Sequence, residues 1–132
     1  MEELLGKWRL LKNERFDDFL KFTQIPWYQR KVAGYCGIDL EITSKGLGNY
    51  VKRVNSTFYK TVEEINFNDN YIASGTTLKK YSYEEDGSVS VDIKGSIVNW
   101  RERIFYEKPN LVVEYSWLES GKSKSARQVF KP

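Results

Sequence analysis

The chemistry open to this sequence is limited first by the residues it lacks. None of its 132 residues is histidine, which removes imidazole-built zinc sites, Ser-His-Asp triads and Cys-His pairs. Cys36 is the only cysteine, so no disulfide forms within the chain, and no basic partner nearby in sequence marks it as reactive. Carboxylates are plentiful, but none falls in a recognisable acid–base pairing, and no nucleophile–base arrangement is available without histidine. The reading is of a protein that is not an enzyme and holds no metal and no cofactor.

What remains is binding chemistry: polar side chains on otherwise apolar strand faces. In the last strand Ala126, Gln128 and Phe130 alternate with Arg127, Val129 and Lys131. The first set carries less charge and is the natural inner face. Gln128 is then a buried amide that needs partners, either a ligand hydroxyl, carboxylate or water, or neighbouring side chains. Arg103 lies on a long strand whose register the pattern leaves open. Turned inward it must be paired, and it marks a site for an anionic ligand; turned outward it is a surface arginine. Tyr115 and Trp117 sit on the apolar side of their strand as core or cavity wall, with the Tyr115 hydroxyl able to join a polar network with Gln128 or Arg103.

Only residues 14–35 read as helix. Phe16, Phe19, Leu20 and Thr23 recur at helical spacing, with Asp17, Asp18 and Lys21 opposite. Asn13 is the expected N-cap. Pro26 suits the first turn of a second helix, in which Trp27, Tyr28 and Val32 face inward while Gln29, Arg30 and Lys31 stay in water. One strand, Leu4 to Leu11, precedes this hairpin, with Trp8 at the core.

Everything after the hairpin alternates with period two. Ile38/Leu40/Ile42, Val89/Val91/Ile93 and Leu111/Val113/Tyr115/Trp117 are the clearest runs, punctuated at Asn68-Asp69-Asn70, Asp86-Gly87, Gly95, Lys108-Pro109-Asn110 and Gly121. About ten short strands with hairpin-length links argue a single domain over 1–132. The expected fold is mainly β: a ten-stranded antiparallel up-and-down barrel, or clam, lidded by the helix-turn-helix after the first strand. An open sheet or a filled sandwich is the rival arrangement. A closed barrel of that size encloses a ligand cavity.

Gly6-Lys7-Trp8-Arg9-Leu10 followed by Phe16-Asp17-Asp18-Phe19 resembles the intracellular lipid-binding protein family, which includes fatty-acid-binding and cellular retinoid-binding proteins. Arg30-Lys31, Ser56-Thr57-Phe58 and the closing Arg127-Gln128-Val129-Phe130-Lys131 extend the resemblance over the whole chain. It implies a non-covalent carrier of one long-chain fatty acid or similar lipid, with Gln128, Arg103, Tyr115 and Phe130 around the head group. It also implies Phe16, Leu20, Phe58 and Trp117 at the portal and cavity, and Lys21, Arg30 and Lys31 as a nuclear-import or membrane-contact patch. The sequence departs from the family in three places. Arg15 stands before Phe-Asp, the usual closing Arg-x-Tyr is Gln128-x-Phe130, and the second internal arginine falls on Ile104 or, with one extra turn residue, on Arg103. The Gln-x-Phe ending is closer to the retinol-binding branch and keeps a retinoid or other hydrophobic ligand as the alternative cargo.

The N-terminus has acidic residues at once and no long apolar run, so a cytoplasmic rather than secreted protein is expected, shuttling to the nucleus if the basic patch acts there. The mild net charge of +3 is spread along the chain and does not point to nucleic acid. The expected partners are the lipid, anionic membranes met transiently, and nuclear import machinery or a lipid-responsive nuclear receptor, with the carrier itself monomeric.

Overall fold

The computed structural model describes residues 1–57 and 59–132. A 3-10 turn over Glu2–Leu4 leads into β1 (Gly6–Glu14), followed by α1 (Phe16–Phe22) and α2 (Trp27–Ala33). Then come β2 (Ile38–Gly46), β3 (Asn49–Ser56), β4 (Lys60–Ile65), β5 (Ile72–Ser74) and β6 (Thr77–Tyr83). The chain ends with β7 (Val89–Lys94), β8 (Asn99–Glu107), β9 (Asn110–Glu119) and β10 (Lys122–Lys131). Among the described residues the spatial order is β4-β3-β2-β1-β10-β9-β8-β7-β6-β5, antiparallel throughout, with β1 meeting β10 to wrap the sheet into a nearly closed barrel. This is the expected architecture. The seam lies between β4 and β5, the two ends of that order.

Alternation builds the core. Ile42, Ile65, Val89, Val91, Ile93, Ile104 and Leu111 are almost fully buried on the inner face. Trp8 joins them, its indole N–H donating to the Leu4 carbonyl at 3.1 Å. A second, smaller cluster of Phe19, Trp117 and Ala126 seats α1 on β9 and β10. An outer cluster also forms where Phe105, Val112 and Val129 sit side by side in the ladders. The Arg103 guanidinium lies 4.4 Å and that of Arg127 5.7 Å from the Phe105 ring centre, and the two roof this patch.

Three local expectations need correction. The first strand starts later than Leu4 and runs on to Glu14, because its pairing with β10 continues to Glu14 opposite Arg127. Asn13 is therefore a strand residue and does not cap α1. Arg15 takes the cap position with φ 57 and no side-chain cap. Third, α2 buries none of its residues: Trp27 is 68% exposed, and Tyr28 and Val32 are open as well.

The turns follow the twist of the strands. Ser120-Gly121 links β9 to β10 with φ of 53 and 76, and Leu47-Gly48 links β2 to β3 with φ of 57 and 76. Positive φ at both central positions is the mark of the type I′ hairpin. Gly95 is held for a different reason: a Cβ there would come within 2.4 Å of the Val98 carbonyl oxygen. Leucine at the first turn position is costly, since a left-handed residue with a Cβ loses ~1–2 kcal/mol, and Leu47 is fully exposed and gains nothing in return. Replacing Leu47 with Asn should raise stability by ~0.5–1 kcal/mol, a rise of a few degrees in thermal midpoint for a domain of this size. A calorimetric scan of Leu47→Asn beside the parent checks it.

Candidate functional site

Two cavities lie inside the barrel and under its lid. The inner one, about 620 Å³, is bounded by Leu40, Val54, Val113 and Phe130 together with Lys52, Glu63, Lys79, Glu102, Tyr115 and Gln128. The outer one, about 540 Å³, lies under the helices against Phe16, Leu20, Ile25, Tyr28, Val32 and Ala33. Ile38 and Tyr59 line both and mark their boundary. Each volume is in the range that holds a small molecule. The inner chamber is polar along one side, and the sub-lid chamber is walled almost wholly by apolar groups.

Gln128 is 4% exposed and its amide is satisfied by side chains. It accepts a hydrogen bond from the Tyr115 hydroxyl at 2.6 Å and donates to the Asn13 side-chain oxygen at 3.2 Å. Asn13 reaches this position through a bulge in β1. Leu10 pairs with Phe130 and Lys12 with Val129, so one extra residue shifts the phase and Asn13 comes opposite Gln128. Burial, then the nearby Glu102 charge, keep the Tyr115 phenol raised above its ordinary pKa, so it stays a neutral donor.

The seam carries the interior charge. Glu63 on β4 pairs with Lys79 on β6 at 2.6 Å and with Lys52 on β3 at 3.6 Å, and Ser74 on β5 donates to it at 3.2 Å. All three charged side chains are less than a fifth exposed. Burial alone would raise the Glu63 pKa, but the two lysine charges outweigh it and lower it from 4.5 to about 2. The buried Tyr81 hydroxyl feels both Glu63 and Glu102. Burial first, and those charges second, push its pKa up. It is the one fully buried side-chain polar atom without a hydrogen-bond partner among the described residues. No group of three or more metal-ligating side chains comes together among them either.

The sequence-predicted site residues divide. Gln128, Tyr115 and Phe130 line the inner chamber, and Phe16 and Leu20 line the sub-lid chamber. Trp117 does not line either. It is core beneath α1, 5.6 Å from the Phe19 ring and 5.5 Å from that of Phe22. Arg103 is not a head-group residue. It lies on the outer face, 41% exposed, bound to Asp86 at 2.8 Å and stacked on Phe105. The strand phase places Glu102 and Ile104 inward instead, with Ile104 fully buried. Phe58 lies outside the described residues. Of the basic lid residues, Arg30 is only 20% exposed, bound to Asp17 at 3.2 Å and donating to the Ile25 carbonyl at 2.8 Å. It ties α2 to α1, so the exposed basic residues of the patch are Lys21 and Lys31. Lys52, Glu63, Lys79 and Glu102 were missed by sequence reasoning. Lys52 and Glu63 alternate in step with Tyr50/Val54 and Ile65, a signal that charge on an inner face obscured.

No protein-family model matches the chain. It is 36% identical over 63 residues to fatty acid-binding protein homolog 1 of Echinococcus granulosus, covering 48% of this chain and 47% of that protein. It is 32% identical over 91 residues to fatty acid-binding protein homolog 5 of Caenorhabditis elegans, covering 67% and 66%. The matched stretches thus span about half to two thirds of these relatives' length. The barrel superposes on a Schistosoma mansoni fatty acid binding protein in complex with arachidonic acid with a TM-score of 0.87, 14% identity, and coverage of 99% of this chain and 96% of that one.

Because the folded pKa of Glu63 is depressed, its stabilising contribution is present above pH 4.5 and is lost as pH falls toward about 2. Glu63→Gln should lower stability at pH 7 by roughly 2–3 kcal/mol and flatten the stability–pH curve across that acid window. Urea unfolding of both forms from pH 2 to 7 checks it. With ten strands, a helix pair after the first, and relatives named for fatty-acid binding, this chain belongs to the intracellular lipid-binding protein family.

Proposed function

We propose that the protein is a non-covalent carrier that encloses one long-chain fatty acid or fatty-acid-derived lipid. The observation that carries this reading is the order of the two chambers. The inner chamber is lined by hydrogen-bonding and charged groups, and the sub-lid chamber is apolar, with Ile38 and Tyr59 between them. That order matches a single-chain amphiphile bound head inward and tail under the helices. Burial of the chain supplies the affinity, at ~25 cal/mol per Å² of apolar surface, and a few polar groups orient the head. The names of the relatives agree with this reading.

The uneven seating of the helices supports α2 as the gate. α1 is fixed by Phe19, whose ring stacks 4.5 Å from that of Tyr115, whereas α2 has no buried residue and is tied on through Arg30. A seven-residue helix is marginal by itself, so its opening costs little. Delivery at an anionic membrane surface fits the outer face of the lid, where Lys21 and Lys31 are exposed together with Trp27. Work in the cytoplasm as a monomer is part of the same proposal.

A retinoid or other bulky hydrophobic ligand is the second reading, favoured by the uncharged Asn13–Gln128–Tyr115 chain. A chain-length series separates the two. Ala33 lines the sub-lid chamber, and Ala33→Trp should displace the far end of an acyl tail. At ~0.8 kcal/mol per buried methylene, losing two methylenes weakens the longest chains by about tenfold or more and leaves shorter ones unchanged. Equal weakening at every length, or none, would contradict the head-inward acyl pose.

A further inference from the structure

The formal charges inside the inner chamber already cancel. Lys52 and Lys79 are positive, Glu63 and Glu102 are negative, and all four line the same cavity. Glu63 takes up both lysines, Lys52 beside it on β3 and Lys79 across the seam on β6. An incoming carboxylate would add a negative charge that nothing inside balances, in a place where unpaired charge is expensive. Turning Lys79 toward it would strip Glu63 of its nearer cation and loosen the seam.

Glu102 is the interior acid with no salt bridge among the described residues. One of its oxygens accepts the Trp100 indole N–H at 3.0 Å. A carboxylate has about four lone-pair sites, so most of its accepting capacity is unused. Tyr115 is its direct neighbour in the β8–β9 register, and the Tyr115 hydroxyl proton is already spent on Gln128. One amide proton of Gln128 is spent on Asn13. At Glu102 itself the open capacity is for accepting, and the complementary group there is a donor.

Resting on the carrier reading above, we propose that the cargo's head group is uncharged and donates a hydrogen bond, as a hydroxyl or an amide N–H on a single acyl chain does, with Glu102 as its acceptor. A free fatty acid, ionised at neutral pH, is the wrong electrostatic partner.

Titration calorimetry of the delipidated full chain at pH 8 with dodecanol and with dodecanoic acid tests this. Dodecanol should bind about tenfold or more tighter than dodecanoate. Glu102→Gln removes the acid that has no salt bridge and leaves the chamber with one positive charge in excess, so it should close that gap by about tenfold through tighter binding of the acid, while Glu102→Asp keeps the preference for the alcohol. Circular dichroism confirms that each variant is folded, and the wild-type comparison stands by itself if one is not. Dodecanoate binding as tightly as dodecanol would overturn the head-group assignment and leave the carrier reading intact. An alcohol preference unmoved in folded Glu102→Gln would overturn the role of Glu102. Binding of neither ligand would overturn the carrier reading, and this proposal with it.

Discussion

The Glu63 carboxylate, held between Lys79 and Lys52 at the seam, is the interaction on which the rest of the interior depends. Strands β4 and β5 are the ends of the sheet order, and side-chain contacts together with an isolated backbone bridge between Phe67 and Tyr81 span the gap. Glu63 reaches Lys79 on β6 and Ser74 on β5, so one half-buried acid ties two strands across the gap to its own. Buried ions are tolerated only when paired, so the same contacts that close the wall also occupy the cavity's two cations. Structural closure and ligand electrostatics are thus one problem with one solution. It leaves the cavity formally neutral, with Glu102 as the acid that has no salt bridge among the described residues.

The lid follows a similar economy. α1 spends its aromatic face on anchorage: Phe16, Phe19 and Phe22 meet Tyr115, Trp100 and Trp117. α2 keeps its apolar side chains for the chamber below, where Tyr28, Val32 and Ala33 form a wall that an acyl tail would complete. Their exposure follows from that arrangement. A helix packed as tightly as α1 could not open at modest cost, and one without the Arg30 tie would not stay in place.

Period-two alternation carried nearly all of the architecture, because a strand with one buried face must alternate. The resemblance built on Gly6-Lys7-Trp8 and Phe16-Asp17-Asp18-Phe19 pointed to the same barrel. The inner position of Gln128 was legible for the same reason: its neighbours Ala126 and Phe130 are apolar and Arg127 is not. Its partner Asn13 was not legible, because a bulge between Leu10 and Lys12 shifts the phase of β1. Arg103 was misplaced as a head-group candidate because charge flanks both faces of β8, with Glu102 inward and Arg101 and Arg103 outward. Only the pairing of Glu102 with Tyr115 decides which is which. The seam lysines and acid were hidden by the same rule that found the core, since a charged residue on a strand reads as solvent-facing until its partner across the barrel is known.

Native mass spectrometry of protein purified without detergent, followed by extraction of whatever is bound, tests the account most directly. It predicts one single-chain lipid per protein molecule, with a hydroxyl or amide head and no free carboxylate. A co-purified free fatty acid would contradict the neutral-cavity reading. A protein that carries nothing and takes up neither an acid nor an alcohol probe would contradict the carrier itself.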